Sequence, residues 1–253
     1  KMLINRARKA IGRYDTSVFL LLAVASIAFA FTWGSNYNLL TNTNVYWPAA
    51  TLAKPNYLQT VTDPVFGTKI TRISGNPGTS VPNGLPGQVW NNISRHHYSL
   101  DQAWNADQSL LLLSKNVPDG TMIFLNGETY AVQFTRAAWS GVADFRWDPT
   151  NASRMVYIDG TELGYWNPTT NVKTIIHNFG ATGGTCHFGP TKGNLTNDGR
   201  YIVIKRDAVA FVYDIVNNVK HTDIALPGDF GPDGSAAMIS PLSNYVVLVA
   251  SAH

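Results

Sequence analysis

The sequence predicts an all-β fold built from repeated four-stranded antiparallel units, a β-propeller, and three observations support this prediction. After residue 34 no stretch shows a sustained 3.6-residue apolar period with helix caps, so few helices are expected there. Short apolar runs alternate with tight-turn sequences such as Asn126-Gly127. The four-strand pattern recurs at intervals typical of propeller blades, which stack side by side around a channel.

Four units can be placed along the chain. Strands of the first are predicted at His97–Trp104, Leu110–Ser114, Met122–Leu125 and Thr129–Phe134. Those of the second are predicted at Val142–Trp147, Met155–Ile158, Leu163–Trp166 and Val172–His177. The third has candidate strands at Tyr201–Lys205, Ala210–Asp214 and near His221–Leu226, and the fourth starts near Ala236 and reaches Tyr245–Val249.

The first turn of each unit gives the repeat length. These turns begin at Asn105, Asp148, Asn197 and Pro241, so the intervals are 43, 49 and 44 residues. A β-sandwich also has short strands and Asn/Gly turns, but it has no reason to repeat a four-strand unit at this length. The first strand of each unit is therefore expected to be innermost, beside the channel, including the segments from Tyr98 to Trp104 and from Val142 to Trp147.

The chain is expected to hold about four blades of a larger ring. It begins with Lys1 before Met2 and stops within the fourth unit. Blades bury their faces against neighbours on both sides, so three and a half would leave an open edge. A strand pair within Tyr57–Ile73 is predicted to complete the last blade of the full ring.

Residues 1–33 have the layout of an export segment. A basic stretch precedes the apolar run Val18–Trp33, which contains no charged residue. Ala28 and Ala30 provide the small residues that signal peptidase reads, with cleavage expected after Ala30. An uncleaved membrane anchor is the alternative, and in both cases the body is secreted or periplasmic. Residues 34–56 are interpreted as a linker and residues 57–253 as the propeller, with Val18–Phe31 a helix that does not pack on it.

Charge and cysteine content argue against a nucleic-acid-binding domain, an internal disulfide and a multi-cysteine zinc site. The net charge is +3, but the first fifteen residues carry +4, so the body is nearly neutral. A nucleic-acid-binding domain would be expected to carry a basic stripe, so no nucleic-acid partner is predicted. The single cysteine, Cys186, excludes an internal disulfide and a multi-cysteine zinc site, and a small buried role is expected for it.

The candidate site residues precede the innermost strands. Arg95, His96, His97 and Tyr98 lead into the first unit, and His187 leads into the third. Equivalent positions in a repeat share a face, so the imidazoles of His96 or His97 and of His187 are expected to open beside the channel. Imidazole suits both metal binding and acid–base chemistry at neutral pH. The alternative is that these rings fill the channel and make structural hydrogen bonds. Further ligand-binding candidates are Lys192, Arg206 and Trp104.

Two segments carry a family resemblance. Residues Arg95 to Leu112 (RHHYSLDQAWNADQSLLL) and Phe188 to Ile202 (FGPTKGNLTNDGRYI) resemble secreted bacterial proteins with WD40-like or TolB-like propellers. The likeness covers the chain from about Tyr57 and is specific for fold rather than activity. The enzymes that it implies are propeller polysaccharide lyases of the oligogalacturonate or ulvan type, which cleave uronic-acid chains by β-elimination.

The resemblance assigns roles if the chain is such a lyase. His96 or His97 would be the base, Tyr98 the acid, and Arg95, Lys192 or Arg206 the partner of the substrate carboxylate, with His187 a ligand of a divalent metal. The main functional prediction is an extracytoplasmic propeller that binds a glycan, peptide or protein on its channel face. The lyase is the alternative, and the membrane is predicted as a partner only through the N-terminal segment.

Overall fold

The computed structural model describes residues 51–97, 101–117, 120–137, 139, 144–189, 193–227 and 236–249. Over these ranges the chain is all-β, with seventeen strands in five antiparallel sheets and no helix. No described segment is therefore a helix that could cross a membrane. The predicted apolar helix at Val18–Phe31 and the predicted linker up to residue 50 lie outside the described residues.

The body begins with a two-stranded hairpin and an irregular lead-in. Strands β1 (Thr60–Thr62) and β2 (Lys69–Thr71) pair in antiparallel register, as the sequence predicts for this region. The chain then continues to Trp90, which is only 1% exposed. Whether the hairpin completes the last blade of a ring stays a prediction.

Unit 1 is a four-stranded sheet in chain order. Its strands are β3 (Ile93–Arg95), β4 (Leu110–Val117), β5 (Thr121–Asn126) and β6 (Val132–Arg136). The last three confirm the predicted strands to within a few residues. The predicted first strand at His97–Trp104 is wrong, because the regular pairing with β4 is made by Ile93–Arg95.

A bulge explains this error. Arg95 pairs with Lys115 and Trp104 pairs with Leu111, so eight residues of the first strand lie opposite only three residues of β4. The unequal numbers mean that the regular ladder is interrupted between Arg95 and Trp104. His96 and His97 lie in this bulge, and Tyr98 lies outside the described residues.

Unit 2 confirms the predicted pattern. Its sheet consists of β7 (Asp144–Trp147), β8 (Met155–Asp159), β9 (Glu162–Asn167) and β10 (Val172–Asn178), paired in chain order. Val142 and Ala143, which were predicted to begin the first strand, lie outside the described residues.

Units 3 and 4 continue the series. Unit 3 contains β11 (Cys186–His187), β12 (Tyr201–Arg206) and β13 (Val209–Asp214), and β13 pairs with two short strands, β14 (Val219–Lys220) and β15 (Ile224–Ala225). The predicted fourth strand is thus split in two. Unit 4 is the hairpin of β16 (Ala236–Ile239) and β17 (Val246–Val249). No described strand pairs with a strand of another unit, in contrast to the shared sheets that a sandwich would require.

Consecutive units pack face to face. In β4, Leu111 and Leu113 enter a core with Val81 and Trp90 of the lead-in, whereas Leu112 enters a core with unit 2. This alternation follows from the two-residue period of a strand, which sends neighbouring side chains to opposite faces. The same rule gives a core between units 2 and 3 and another between units 3 and 4.

In units 2 and 3 the first strand is more buried than the last. In β7 only Phe145 is partly exposed, whereas the first four residues of β10 are all exposed. In unit 3, Cys186 of β11 is buried and both residues of β14 are exposed. Unit 1 differs, because Ile93 and Arg95 of β3 are exposed, and the innermost position of the first strands stays a prediction.

Candidate functional site

The first strands of the units define two ends of the body. We call the end at which they begin, marked by His97, Asp144 and His187, the histidine end. We call the end at which they turn into the second strands the turn end. Strand β7 runs from one to the other, since it starts at Asp144 and stops at Trp147. Candidate functional side chains occur at both ends.

The turn end is built from one repeated device. Four residues hold equivalent positions there: Asn105, Asp148, Thr196 and Ser240. The backbone N–H of each donates to a carbonyl at the start of the second strand, over 2.8–3.2 Å. In three of them the side-chain oxygen also accepts from a backbone N–H five residues later, over 2.9–3.0 Å. Such local acceptors are why Asn, Asp, Ser and Thr recur at turns.

The equivalence corrects the repeat register. Thr196 and Ser240, and not Asn197 and Pro241, correspond to Asn105 and Asp148. The intervals become 43, 48 and 44 residues. The sequence-based register was one residue late in units 3 and 4, because it aligned the most evident turn residues and not the capping hydrogen bonds.

Neighbouring turns touch one another. The Asn105 side-chain amide donates to the carbonyl of Ala152 in the next unit, over 2.9 Å. Further along, the Asn197 N–H donates to the carbonyl of Pro241, also in the next unit, over 2.8 Å. Turns that follow one another in the chain therefore also follow one another in space.

A cavity of about 360 Å³ opens between these turns. Residues from all four units line it: Gln102, Trp104, Asn105, Ala106, Gln108, Trp147, Asp148, Pro149, Asn194, Leu195, Asn197 and Pro241. Trp104, Trp147 and Leu195 are equivalent to one another, since each comes directly before a capping residue. The repeat thus brings matching positions of several units to one space.

The described part of the cavity lining carries no unbalanced charge. Among those residues the ionisable one is Asp148, which is fully buried. One carboxylate oxygen accepts from the backbone N–H and the hydroxyl of Thr150, over 2.8 and 2.7 Å. The other accepts from Nε of Arg154 over 2.6 Å. Because the negative charge is already paired, the cavity offers a ligand polar groups and indole rings.

The histidine end holds a chain of charged groups. His97 Nδ1 lies 2.5 Å from Asp101 Oδ2, and Asp101 Oδ1 lies 3.3 Å from a terminal nitrogen of Arg146. The Arg146 side chain is 3% exposed, and it also donates to the carbonyls of Gly193 and Phe145 over 2.7 and 2.8 Å. Buried guanidinium groups need such partners.

A second histidine–carboxylate pair lies near the same arginine. His187 Nδ1 is 3.3 Å from Asp144 Oδ2, which also accepts from the backbone N–H of Phe188. Burial lowers the pKa of Arg146, and the carboxylates of Asp101 and Asp144 act against that shift. The arginine therefore connects the electrostatics of the two pairs, and one strand, β7, carries both Asp144 and Arg146.

The side chains of the remaining predicted site residues do not join these pairs. Trp104 lines the cavity at the turn end. The exposed Arg95 donates to the carbonyl of His97 over 2.8 Å. Arg206 donates to the carbonyls of Phe179, Gly180 and Gly184, and so fixes a loop. Tyr98 and Lys192 lie outside the described residues, so the predicted roles of both remain predictions.

The described residues contain no group of three His, Cys, Asp or Glu side chains that could hold a metal ion. The predicted metal role of His187 therefore finds no set of ligands among them, and we derive no step through a metal. Cys186 is buried, as predicted, and burial raises the pKa of its thiol. A raised thiol pKa disfavours the reactive thiolate.

The sequence analysis did not identify Asp101, Asp144 and Arg146 at the histidine end, nor the cavity at the turn end. Asp101 and Asp144 are 43 residues apart, the interval between Asn105 and Asp148, so the repeat itself was the available signal for the two carboxylates. At the turn end, the available signal was the polar residue repeated at the first turn. It was used for the repeat length but not as a guide to a cavity.

Comparisons with known proteins add little to this geometry. No protein-family model matches the chain, and no curated protein matches it. A chain in a crystal structure of a mitotic checkpoint complex is similar in structure, with 16% sequence identity and a TM-score of 0.40. The match covers 60% of this chain and 47% of that chain, so the present chain spans about half of its length. The all-β description therefore rests on the strands, sheets and cores described above.

Proposed function

We propose that residues 57–253 form blades of a β-propeller and that this propeller is a binding module whose ligand lies in the turn-end cavity. The supporting observation is that equivalent positions of successive units line one cavity. Units related by rotation about a common axis bring equivalent residues together in this way. A glycan, a peptide or a partner protein is the class of ligand that this function implies.

Hydrogen–deuterium exchange of the full chain tests the proposal. Neutral oligosaccharides, a uronic-acid polymer and uncharged peptides are added in turn. A ligand in the cavity protects the turns at Asn105, Asp148 and Thr196 together, because three units contact it. Protection confined to the outer strands β6, β10 and β14, or no protection with any ligand, contradicts the proposal.

A polysaccharide lyase is the second candidate, and the two histidine–carboxylate pairs favour it. A carboxylate at Nδ1 orients an imidazole so that the ring can act as a base, as it does in catalytic triads. His97–Asp101 and His187–Asp144 have this arrangement. However, Arg95 and Arg206 make hydrogen bonds to backbone carbonyls, which leaves Lys192 as the proposed partner of a substrate carboxylate. Release of unsaturated product from a uronic-acid polymer would favour the enzyme, and its absence the binding module.

We also propose that the N-terminal segment exports the body. The support is the uncharged run Val18–Trp33 after a basic stretch. Mass spectrometry of the chain expressed with its own N-terminus distinguishes the outcomes. A mature form beginning at Phe31 indicates a cleaved signal, and an intact membrane-bound form indicates an anchor. An intact form in the cytoplasm contradicts export.

A further inference from the structure

We infer that the ligand of the turn-end cavity is an uncharged saccharide, an inference that rests on the proposed binding function and names its ligand. Three observations support it: the charge of the described cavity lining, the polar groups that its rim leaves available, and the indole of Trp104.

The balanced charge of the lining residues that the structure describes argues against ionic ligands. A bound phosphate, sulfate or uronate would need a cationic partner, because an unpaired charge is costly to remove from water. The described lining contains no Lys, Arg or His, and its one carboxylate is paired with Arg154. The ligand is therefore expected to be polar and neutral.

Three carboxamides are available on the rim. Gln102, Gln108 and Asn197 are exposed, and their side chains make no hydrogen bond to any residue that the structure describes. They come from units 1 and 3, on different parts of the rim. Each carboxamide offers two donors and one acceptor, which matches hydroxyl groups, since these both donate and accept.

The indole of Trp104 offers an apolar surface against which a sugar ring can pack. It is half-buried in the lining, and its Nε1 donates to the carbonyl of Gly127 over 3.3 Å, which holds the ring in place. The C–H faces of sugar rings pack against aromatic rings while their hydroxyls reach polar groups. The cavity volume of about 360 Å³ suits a short saccharide, because small-ligand sites start at about 300 Å³.

The backbone of Gln108 allows a variant that removes its side chain without disturbing the turn. Its φ is +60°, a left-handed conformation that glycine adopts without strain and glutamine does not. The equivalent residue of unit 3 is Gly199, with φ of +70°. The left-handed conformation therefore belongs to the repeated turn, and Gln108 differs from Ser243, which shares it, in lining the cavity with an amide that makes no hydrogen bond in the described protein.

Saturation-transfer NMR and calorimetry of the full chain test the inference. The probes are neutral tetrasaccharides of glucose, xylose and mannose, with tetragalacturonate and an uncharged tetrapeptide for comparison. We expect at least one neutral tetrasaccharide to bind. If only tetragalacturonate or only the peptide binds, the inference of an uncharged saccharide is wrong, but the proposed binding function is still supported. Failure of every probe counts against both.

A pair of glycine variants locates the site. Gln108→Gly relieves the backbone strain while removing the amide, so we expect about fivefold weaker saccharide binding without a lower Tm. Ser243→Gly is the matched control, because Ser243 holds the equivalent position in unit 4, with φ of +60°, and does not line the cavity. It is expected to leave affinity unchanged. Equal affinity in the Gln108→Gly variant and the parent protein would overturn the assignment of Gln108 and of this cavity.

Discussion

The turn end and the histidine end lie at opposite ends of the same strands, yet they are built in different ways. At the turn end, each unit places a capping residue at an equivalent position, and the cavity lining is neutral. At the histidine end, Asp101 and Asp144 hold equivalent positions, each four residues before a capping residue, but Arg146 does not repeat, since Ala103 and Asn194 stand at the equivalent positions. Repetition thus produced one cavity and two equivalent carboxylates, while a single residue that departs from the repeat, Arg146, connects those carboxylates in the charged network.

The largest expected loss of stability follows the replacement of Arg146, the buried arginine of the histidine end. Replacing Arg146 with Met leaves the Asp101 and Asp144 carboxylates without their buried partner and frees the carbonyls of Gly193 and Phe145. We expect the free energy of unfolding to fall by about 3–5 kcal/mol, measured by urea denaturation. Arg95→Met, at an exposed arginine, is the control and is expected to cost less than about 1 kcal/mol. Equal losses would show that the buried network does not stabilise the fold.

The next effect compares two capping residues of the turn end. Asp148→Ala removes a fully buried carboxylate and leaves the N–H of Thr150 and the guanidinium of Arg154 without their acceptor. We expect a loss of about 2–3 kcal/mol in unfolding free energy. Ser240→Ala, at the equivalent position of unit 4, is expected to lose about 1 kcal/mol. The same denaturation experiment checks both, and a reversed order would contradict the account of the turns.

A third expected effect is the pH dependence of stability caused by Asp214, which lies at neither the turn end nor the histidine end. Hydrogen bonds from Arg200, and then from Asn217, lower the pKa of Asp214 from 3.8 to about 2. Because the folded pKa lies below the unfolded one, the Asp214 carboxylate stabilises the fold fully above pH 3.8, and this contribution disappears as the pH falls toward 2. Arg200 is 39% exposed, so solvent screening limits the contribution to about 1 kcal/mol.

The Asp214→Asn variant isolates this contribution. We expect it to be less stable than the parent protein at pH 6 and to differ little from it at pH 2, as measured by thermal unfolding across the pH range. A difference between the two proteins that stays constant from pH 6 to pH 2 would contradict the assignment.

The smallest expected effect on stability concerns His97. Its side chain is 27% exposed, so His97→Ala is expected to change the unfolding free energy by less than about 1 kcal/mol. If the histidine end is a lyase site, the same variant loses uronic-acid cleavage by about 100-fold or more, since a general base is removed. Product release unchanged in this variant would remove that role from His97.

The strand pattern was the part of the fold that local sequence predicted well. Strands β8 and β9 fall where alternating apolar runs and turn residues placed them, because a two-residue period and turn chemistry are local properties. The first strand of unit 1 was misplaced, because His97–Trp104 and Ile93–Arg95 are both credible strands locally. Only the pairing partner on β4 decides between them.

The candidate site was predictable only in part. The sequence indicated that His97 and His187 belong to equivalent parts of the repeat, and the structure shows a carboxylate beside each of them. Trp104 was grouped with them, although it lies at the turn end. His97 and Trp104 stand at the two ends of the predicted first strand, so their separation could have been read from the sequence. A one-residue ambiguity in the turns concealed the correspondence of Thr196 with Asn105.

The sequence by itself determined the all-β class, the repeat length, the near-neutral body and the apolar N-terminal run, since each depends on composition or on residues close together in the chain. The tertiary structure alone decided that Asp101 and Arg146 meet, that Arg206 fixes a loop, and that residues of four units enclose one cavity. These contacts join residues tens of positions apart. Their geometry depends on how each sheet packs on the next, which no local pattern specifies.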